Sequence, residues 1–280
     1  MSTFATPGPI VATVQVAGAR VRVNASDRTD TVVRVEPVNP ADKTDVKVAD
    51  RTKVAFADGR LSVKTTVSGA ETGSVDITID LPAGSSLVSY LGHSSVHAEG
   101  SFGECELHTA SSRVRLDRID ALQANMGAGE LAVGHVAGRA RIDGGVIAVR
   151  IGEAGDTVEL SNSGGPTWIG HASADLDLSS DGGGFDIDRA DGSVTAKTGD
   201  GAIRIGRLTH GRATLWNSSG NIEIGIGEGV AARVHADSKR GTVRNTVPTE
   251  EQRATSEDEL TVDARTRHGD IIVQHAAVRI

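Results

Sequence analysis

Glu130-Leu-Ala-Val-Gly134, Val149-Arg-Ile-Gly152, Thr167-Trp-Ile-Gly170, Phe185-Asp-Ile-Asp188, Ile203-Arg-Ile-Gly206 and Ile222-Glu-Ile-Gly225 are six versions of one short run. They end at 134, 152, 170, 188, 206 and 225, so the step is 18 residues four times and then 19. A fixed period of this size means one structural unit stacked on copies of itself. Each unit carries two alternating segments split by a polar, Gly-rich corner. Val158-Glu-Leu160, Ser161-Asn-Ser-Gly-Gly165 and Thr167-Trp-Ile169 show the plan.

Alternation with period two describes a half-buried strand. Two inward residues per strand cannot hold a strand alone, but in a stack each meets its equivalent about 4.8 Å away. The first-strand column reads Leu122/Ala124, Ala140/Ile142, Val158/Leu160, Leu176/Leu178, Val194/Ala196, Ala213/Leu215 and Val234/Ala236. The second reads Leu131/Val133, Val149/Ile151, Thr167/Ile169, Phe185/Ile187, Ile203/Ile205 and Ile222/Ile224, and Val136, Ala154, Ala172, Ala190 and Leu208 follow the next corner. At about 1 to 2 kcal/mol per buried aliphatic side chain, each coil offsets its own ordering entropy. Glycines at the corners, before and after the second strand, are expected to supply φ > 0. The fold expected is all-β: a right-handed, single-stranded parallel β-helix (a β-solenoid) of about 18 residues per coil.

Working outward, residues 10–82 alternate less regularly, through Val14/Val16, Val21/Val23, Val46/Val48, Val54/Phe56, Leu61/Val63 and Val75/Ile77/Ile79. Asp58-Gly59 is a hairpin turn signal. This region is expected to open the stack and cover its first edge. Residues 1–9 read as a tail and 10–280 as one elongated domain. Within it, 10–90 form irregular coils or a cap, 91–247 regular coils, 248–259 a polar excursion loop and 260–280 a closing coil.

At 280 residues and 38% hydrophobic content the chain can bury a substantial core. A formal net charge of −8 argues against a nucleic-acid partner. The single cysteine, Cys105, excludes an internal disulfide, fits a reducing compartment and reads as a buried structural thiol. No apolar h-region opens the sequence and no window approaches 18 apolar residues, so neither signal peptide nor membrane span is expected and the chain is assigned to the cytoplasm.

The strand–Gly–strand units Thr198-Gly-Asp-Gly-Ala-Ile-Arg-Ile-Gly206 and Ser218-Ser-Gly-Asn-Ile-Glu-Ile-Gly225 resemble those of a bacterial putative-adhesin family of unknown function. Ile79-Asp-Leu-Pro-Ala-Gly84 and Val262-Asp-Ala-Arg-Thr-Arg-His-Gly-Asp-Ile-Ile-Val273 belong to the same pattern, so the resemblance covers about residues 10–276. It implies a β-solenoid with a binding or structural role and supplies no catalytic residues.

Candidate chemistry is sparse. Asp175, Asp177 and Asp186 lie on neighbouring strands, with Asp181 and Asp200 in corners; they alternate with buried positions, as a solvated strand face does. His135 and His171 share a column but are two coils apart, roughly 9.6 Å, too far to ligate one ion. His93 and His97 flank one strand and need further ligands. No Gly-x-Ser-x-Gly elbow or Walker loop is present. No catalytic, cofactor or metal site is therefore assigned. Trp168 and Trp216 occupy outward positions and are the candidates for surface recognition. The function expected is a non-enzymatic binding or assembly module for a protein or carbohydrate, with possible self-association through the terminal coils. The alternatives are a carbohydrate-active β-helix enzyme and a cytoplasmic accessory protein of a biosynthetic or regulatory system.

Overall fold

The computed structural model describes residues 1–65, 73–247 and 260–276. The excursion loop expected at 248–259 lies outside them. The chain forms two compact units, Met1–Ala137 and Gly138–Ile280.

The first unit contains β1 (Ser2–Ala5), β2 (Val11–Val16), β3 (Ala19–Ser26), β4 (Asp30–Pro37), α1 (Lys43–Arg51), β5 (Thr52–Ala57), β6 (Arg60–Thr65), β7 (Val75–Pro82), β8 (Ser86–Leu91) and β9 (Ser95–Val136). Its parallel core is not stacked in chain order. Strand β2 lies between β6 and β8, and β3 lies between β7 and the start of β9. Residues 11–26 therefore do not open the stack; later coils enclose them on both sides. Antiparallel pairs complete the unit: β1 with β4, β4 with β7, and β5 with β6. The stretch expected as a tail thus holds a paired strand, β1. The β5–β6 turn is the one signalled by Asp58-Gly59, whose φ values of 49° and 72° both lie in the left-handed region.

Val46 and Val48, expected on a strand, instead lie in α1. Asp42 caps this helix, its carboxylate accepting from the Thr44 N–H at 2.8 Å. Asp45 and Val48 are the buried positions, a helical spacing that two valines two apart imitate as strand alternation. The Asp45 carboxylate also accepts from the Asn39 and Ser74 N–H groups (2.9 and 2.7 Å), tying the helix start to the adjoining chain.

The second unit contains β10 (Ala140–Ala154), β11 (Val158–Gly164), β12 (Thr167–Ala172), β13 (Leu176–Gly182), β14 (Phe185–Ala190), β15 (Val194–Asp200), β16 (Ile203–Leu208), β17 (Arg212–Ser219), β18 (Ile222–Ile226), β19 (Ala232–Ser238), β20 (Val243–Asn245), β21 (Leu260–His268) and β22 (Ile271–His275). It is a parallel β-solenoid. Register advances by 18 residues from Ala140 to Val158, Leu176 and Val194, and from Val149 to Thr167, Phe185 and Ile203, then by 19 to Ala213 and Ile222. The inward columns read from the repeat are buried throughout these rungs.

Beyond Ala213 the order departs from the chain. Strand β17 pairs with β21, and β21 in turn with β19; likewise β18 pairs with β22, and β22 with β20. The rung over Ala213/Leu215 is Val262/Ala264, not Val234/Ala236. Burial gives the reason. Val262, Ala264, Ile271 and Val273 are fully buried, whereas Val234 and Ala236 are half-exposed. The more apolar coil occupies the inner slot, and the coil rich in Arg and Lys is left on the outside.

Corner glycines serve two purposes. Gly165 has φ 102°, a left-handed turn that glycine alone adopts without strain. Gly170 lies outside that region, contrary to expectation; a Cβ there would stand 2.6 Å from the Gly152 carbonyl oxygen. Here glycine is required by close approach of the neighbouring coil.

Candidate binding face

The first strand of each coil extends four residues further than the repeat suggested, which carries a polar position inward. Asn162, Ser180, Thr198, Asn217 and Thr266 are registered on one another and all buried. Thr198 donates to the Gly183 carbonyl (2.8 Å), and Asn217 to the Gly201 and Gly220 carbonyls (2.9 and 3.1 Å). At Thr198 and Asn217 the column fastens the corners of neighbouring rungs from inside, whereas the Asn162 amide and the Ser180 hydroxyl find no partner among the described residues. The sequence analysis counted these residues only as members of the polar corner.

The outer surface of the β10–β12–β14–β16–β18 ladder carries Arg150, Trp168, Asp186, Arg204 and Glu223 in register. Trp168 is half-exposed, with the Arg150 guanidinium 4.8 Å above its ring. Its indole leans along its own strand over Gly170, where a Cβ would meet it at 3.0 Å. The next rungs are locked by charge. Arg204 donates to Asp186, and lies 3.4 Å from Asp188; these carboxylates raise the guanidinium pKa further. Beside them runs a groove of about 350 Å³ lined by Asp188, Arg189, Arg204, Arg207, Glu223 and Gln274.

Arg189, on the groove wall, also joins a network around Asp191: Arg189 Nε at 3.0 Å, Thr209 Oγ1 at 2.6 Å and His171 Nε2 at 2.8 Å. Partial burial pushes its carboxyl upward, but the hydrogen bonds from Arg189, Thr209 and His171 outweigh it and hold the group far below the usual carboxylate range.

Trp216 sits elsewhere, on the β15–β17–β21 ladder between Lys197 and Arg265, 36% exposed, with Arg267 6.0 Å from its ring. The two tryptophans thus lie on different ladders and do not form one site. Among the acids read from sequence, Asp186 is paired with Arg204, and Asp175 accepts the Ser193 N–H at 2.8 Å; Asp177 is exposed. His97 is paired with Glu99 (2.7 Å) rather than with His93. Among the described residues no three His, Cys, Asp or Glu side chains gather as a metal site. In the first unit, Tyr90 and His108 stack with centroids 5.1 Å apart and planes 7° from parallel. The sequence reading missed this pair, although the 18-residue interval between them signals it. Cys105 is fully buried, and burial pushes its thiol up to about 12.

The family model described as Toastrack DUF4097 matches residues 12–274. The chain belongs to the Toastrack DUF4097 family. No curated protein matches it. Similar solved structures include a "putative adhesin" from Parabacteroides merdae (11% identity, 98% of this chain and 94% of that one, TM-score 0.38). Another, from Parabacteroides distasonis, shows 12% identity over 98% and 95% of the two chains, with a TM-score of 0.35. A "putative cell adhesion protein" from Clostridium sporogenes shows 12% identity over 98% of both, with a TM-score of 0.25. Among the described residues no helix is long and apolar enough to cross a membrane.

Proposed function

We propose that this chain is a non-enzymatic, adhesin-like binding module whose contact surface is the Trp168 ladder of the second unit and the groove beside it. The partner is an extended polar chain, either carbohydrate or protein. One observation carries this reading. An outward indole braced by Arg150 continues, rung by rung, into side chains already fixed by Asp186–Arg204 and Arg189–Asp191 pairs. Such a surface is ordered before a ligand arrives, so little side-chain entropy remains to be lost on binding. An indole beside polar groups suits the apolar face and hydroxyls of a sugar ring.

The test is a glycan array together with capture of partners from the native host, using wild type, Trp168→Ala and Trp216→Ala. Retention of a ligand by wild type and Trp216→Ala but not Trp168→Ala supports the assignment. Equal behaviour of both variants removes the ladder from the site, and cleavage of a bound glycan replaces the module with an enzyme. Cytoplasmic residence is part of the proposal, and fractionation that recovers the chain at the cell surface would replace it.

A further inference from the structure

The outermost rung of the second unit is β19 with β20. Among the described residues, each is paired with a neighbour on one side only. Its inward side chains are incompletely covered: Val243 is 45% exposed, while Ile271, the residue it stands on, is fully buried. Val234 and Ala236 are half-exposed above a buried Val262 and Ala264. An edge with open backbone groups and a partly open aliphatic column is a template for one more strand.

Charge selects the occupant. The rung carries Arg233, Lys239, Arg240 and Arg244 against Asp237, while the rung beneath is balanced, Arg265 and Arg267 against Asp263 and Asp270, in a chain whose net charge is −8. A second copy meeting this rung through its own would bring like charges together, which is costly at an interface. An acidic strand meets the opposite sign. We infer that β19 and β20 form a docking edge for an extended acidic peptide. Such a peptide adds as a further rung, with small aliphatic residues at alternate positions covering Val234, Ala236 and Val243. This site is separate from the Trp168 ladder and stands or falls independently of it.

The experiment titrates the full chain with an end-blocked peptide of alternating Val and Glu, and with its Val/Lys counterpart. Calorimetry and backbone amide shifts report binding. The Glu peptide is expected to bind, with shifts concentrated at 232–245, while the Lys peptide does not. Arg240→Glu/Arg244→Glu should weaken binding by about tenfold or more, and Val243→Lys should block strand addition. All these positions are exposed, and unchanged melting of the variants confirms that they fold. Four outcomes overturn the inference. The first is failure of the wild type to bind the Glu peptide, and the second is binding that survives both variants. The third is light scattering that shows a second copy covering the edge. The fourth is binding that emerges only after neutralising Glu250, Glu251, Glu257, Asp258 and Glu259, which would make the chain's own acidic segment the occupant.

Discussion

Ala213 is registered against Val262, not against Val234, so the second unit closes by inserting a later coil beneath an earlier one. Inner and outer rungs therefore differ in what each side chain contributes. Val262→Ala should cost about 2 kcal/mol, because it removes methyl groups from a filled interior. Val234→Ala, on the half-exposed outer rung, should cost under about 0.5 kcal/mol. Urea unfolding of the two variants checks this, and equal losses would contradict the inserted order.

The buried polar column offers a second contrast. Asn217 ties the Gly201 and Gly220 carbonyls together, whereas among the described residues both polar atoms of the Asn162 amide lack a partner. Asn217→Ala should destabilise by about 1 to 3 kcal/mol, since it abandons two buried carbonyls. Asn162→Leu should be neutral or stabilising, because replacing an unsatisfied buried amide relieves its desolvation cost. Thermal melts of both variants provide the comparison.

Gly170→Ala is expected to destabilise although its backbone lies outside the left-handed region. The added Cβ would press on the Gly152 carbonyl, a backbone atom that cannot swing aside. Gly8→Ala meets nothing within 4 Å among the described residues and should leave the melting temperature unchanged. Similar losses at both sites would show that close approach is not what glycine provides at position 170.

Asp191 gives a pH signature. Its folded pKa is depressed, so its contribution to stability is present above the unfolded value of about 3.9 and is lost as pH falls below it. Wild type should lose melting temperature on acidification between about pH 5 and pH 2 more steeply than Asp191→Asn. Parallel slopes would mean that the network around Asp191 does not distinguish folded from unfolded chain.

Cys105 should resist alkylation in the native chain at mildly alkaline pH, because burial holds its thiol protonated, with a pKa pushed up to about 12. Denaturant should release it to react at once. Fast native labelling would show that the core around β8 and β9 opens readily.

The 18-residue interval and the alternation inside it were enough to specify parallel coils, the inward columns and the outward placing of Trp168, because like side chains must overlie like in a stack. The hairpin at Asp58-Gly59 was legible for a local reason, the left-handed backbone that such a turn demands. What no interval could reveal is which coil lies on which. A rung accepts any strand of matching width and period, and the choice between Val234/Ala236 and Val262/Ala264 is made by how much apolar surface each can withdraw from water. The same holds for residues 11–26 between two later coils, and for α1, where two valines fit a helix as well as a strand. The polar column and the braced Trp168 ladder depended on where strands end and which neighbours they meet. Those are properties of the packed chain, because a period fixes spacing along the sequence but leaves the order of stacking to burial.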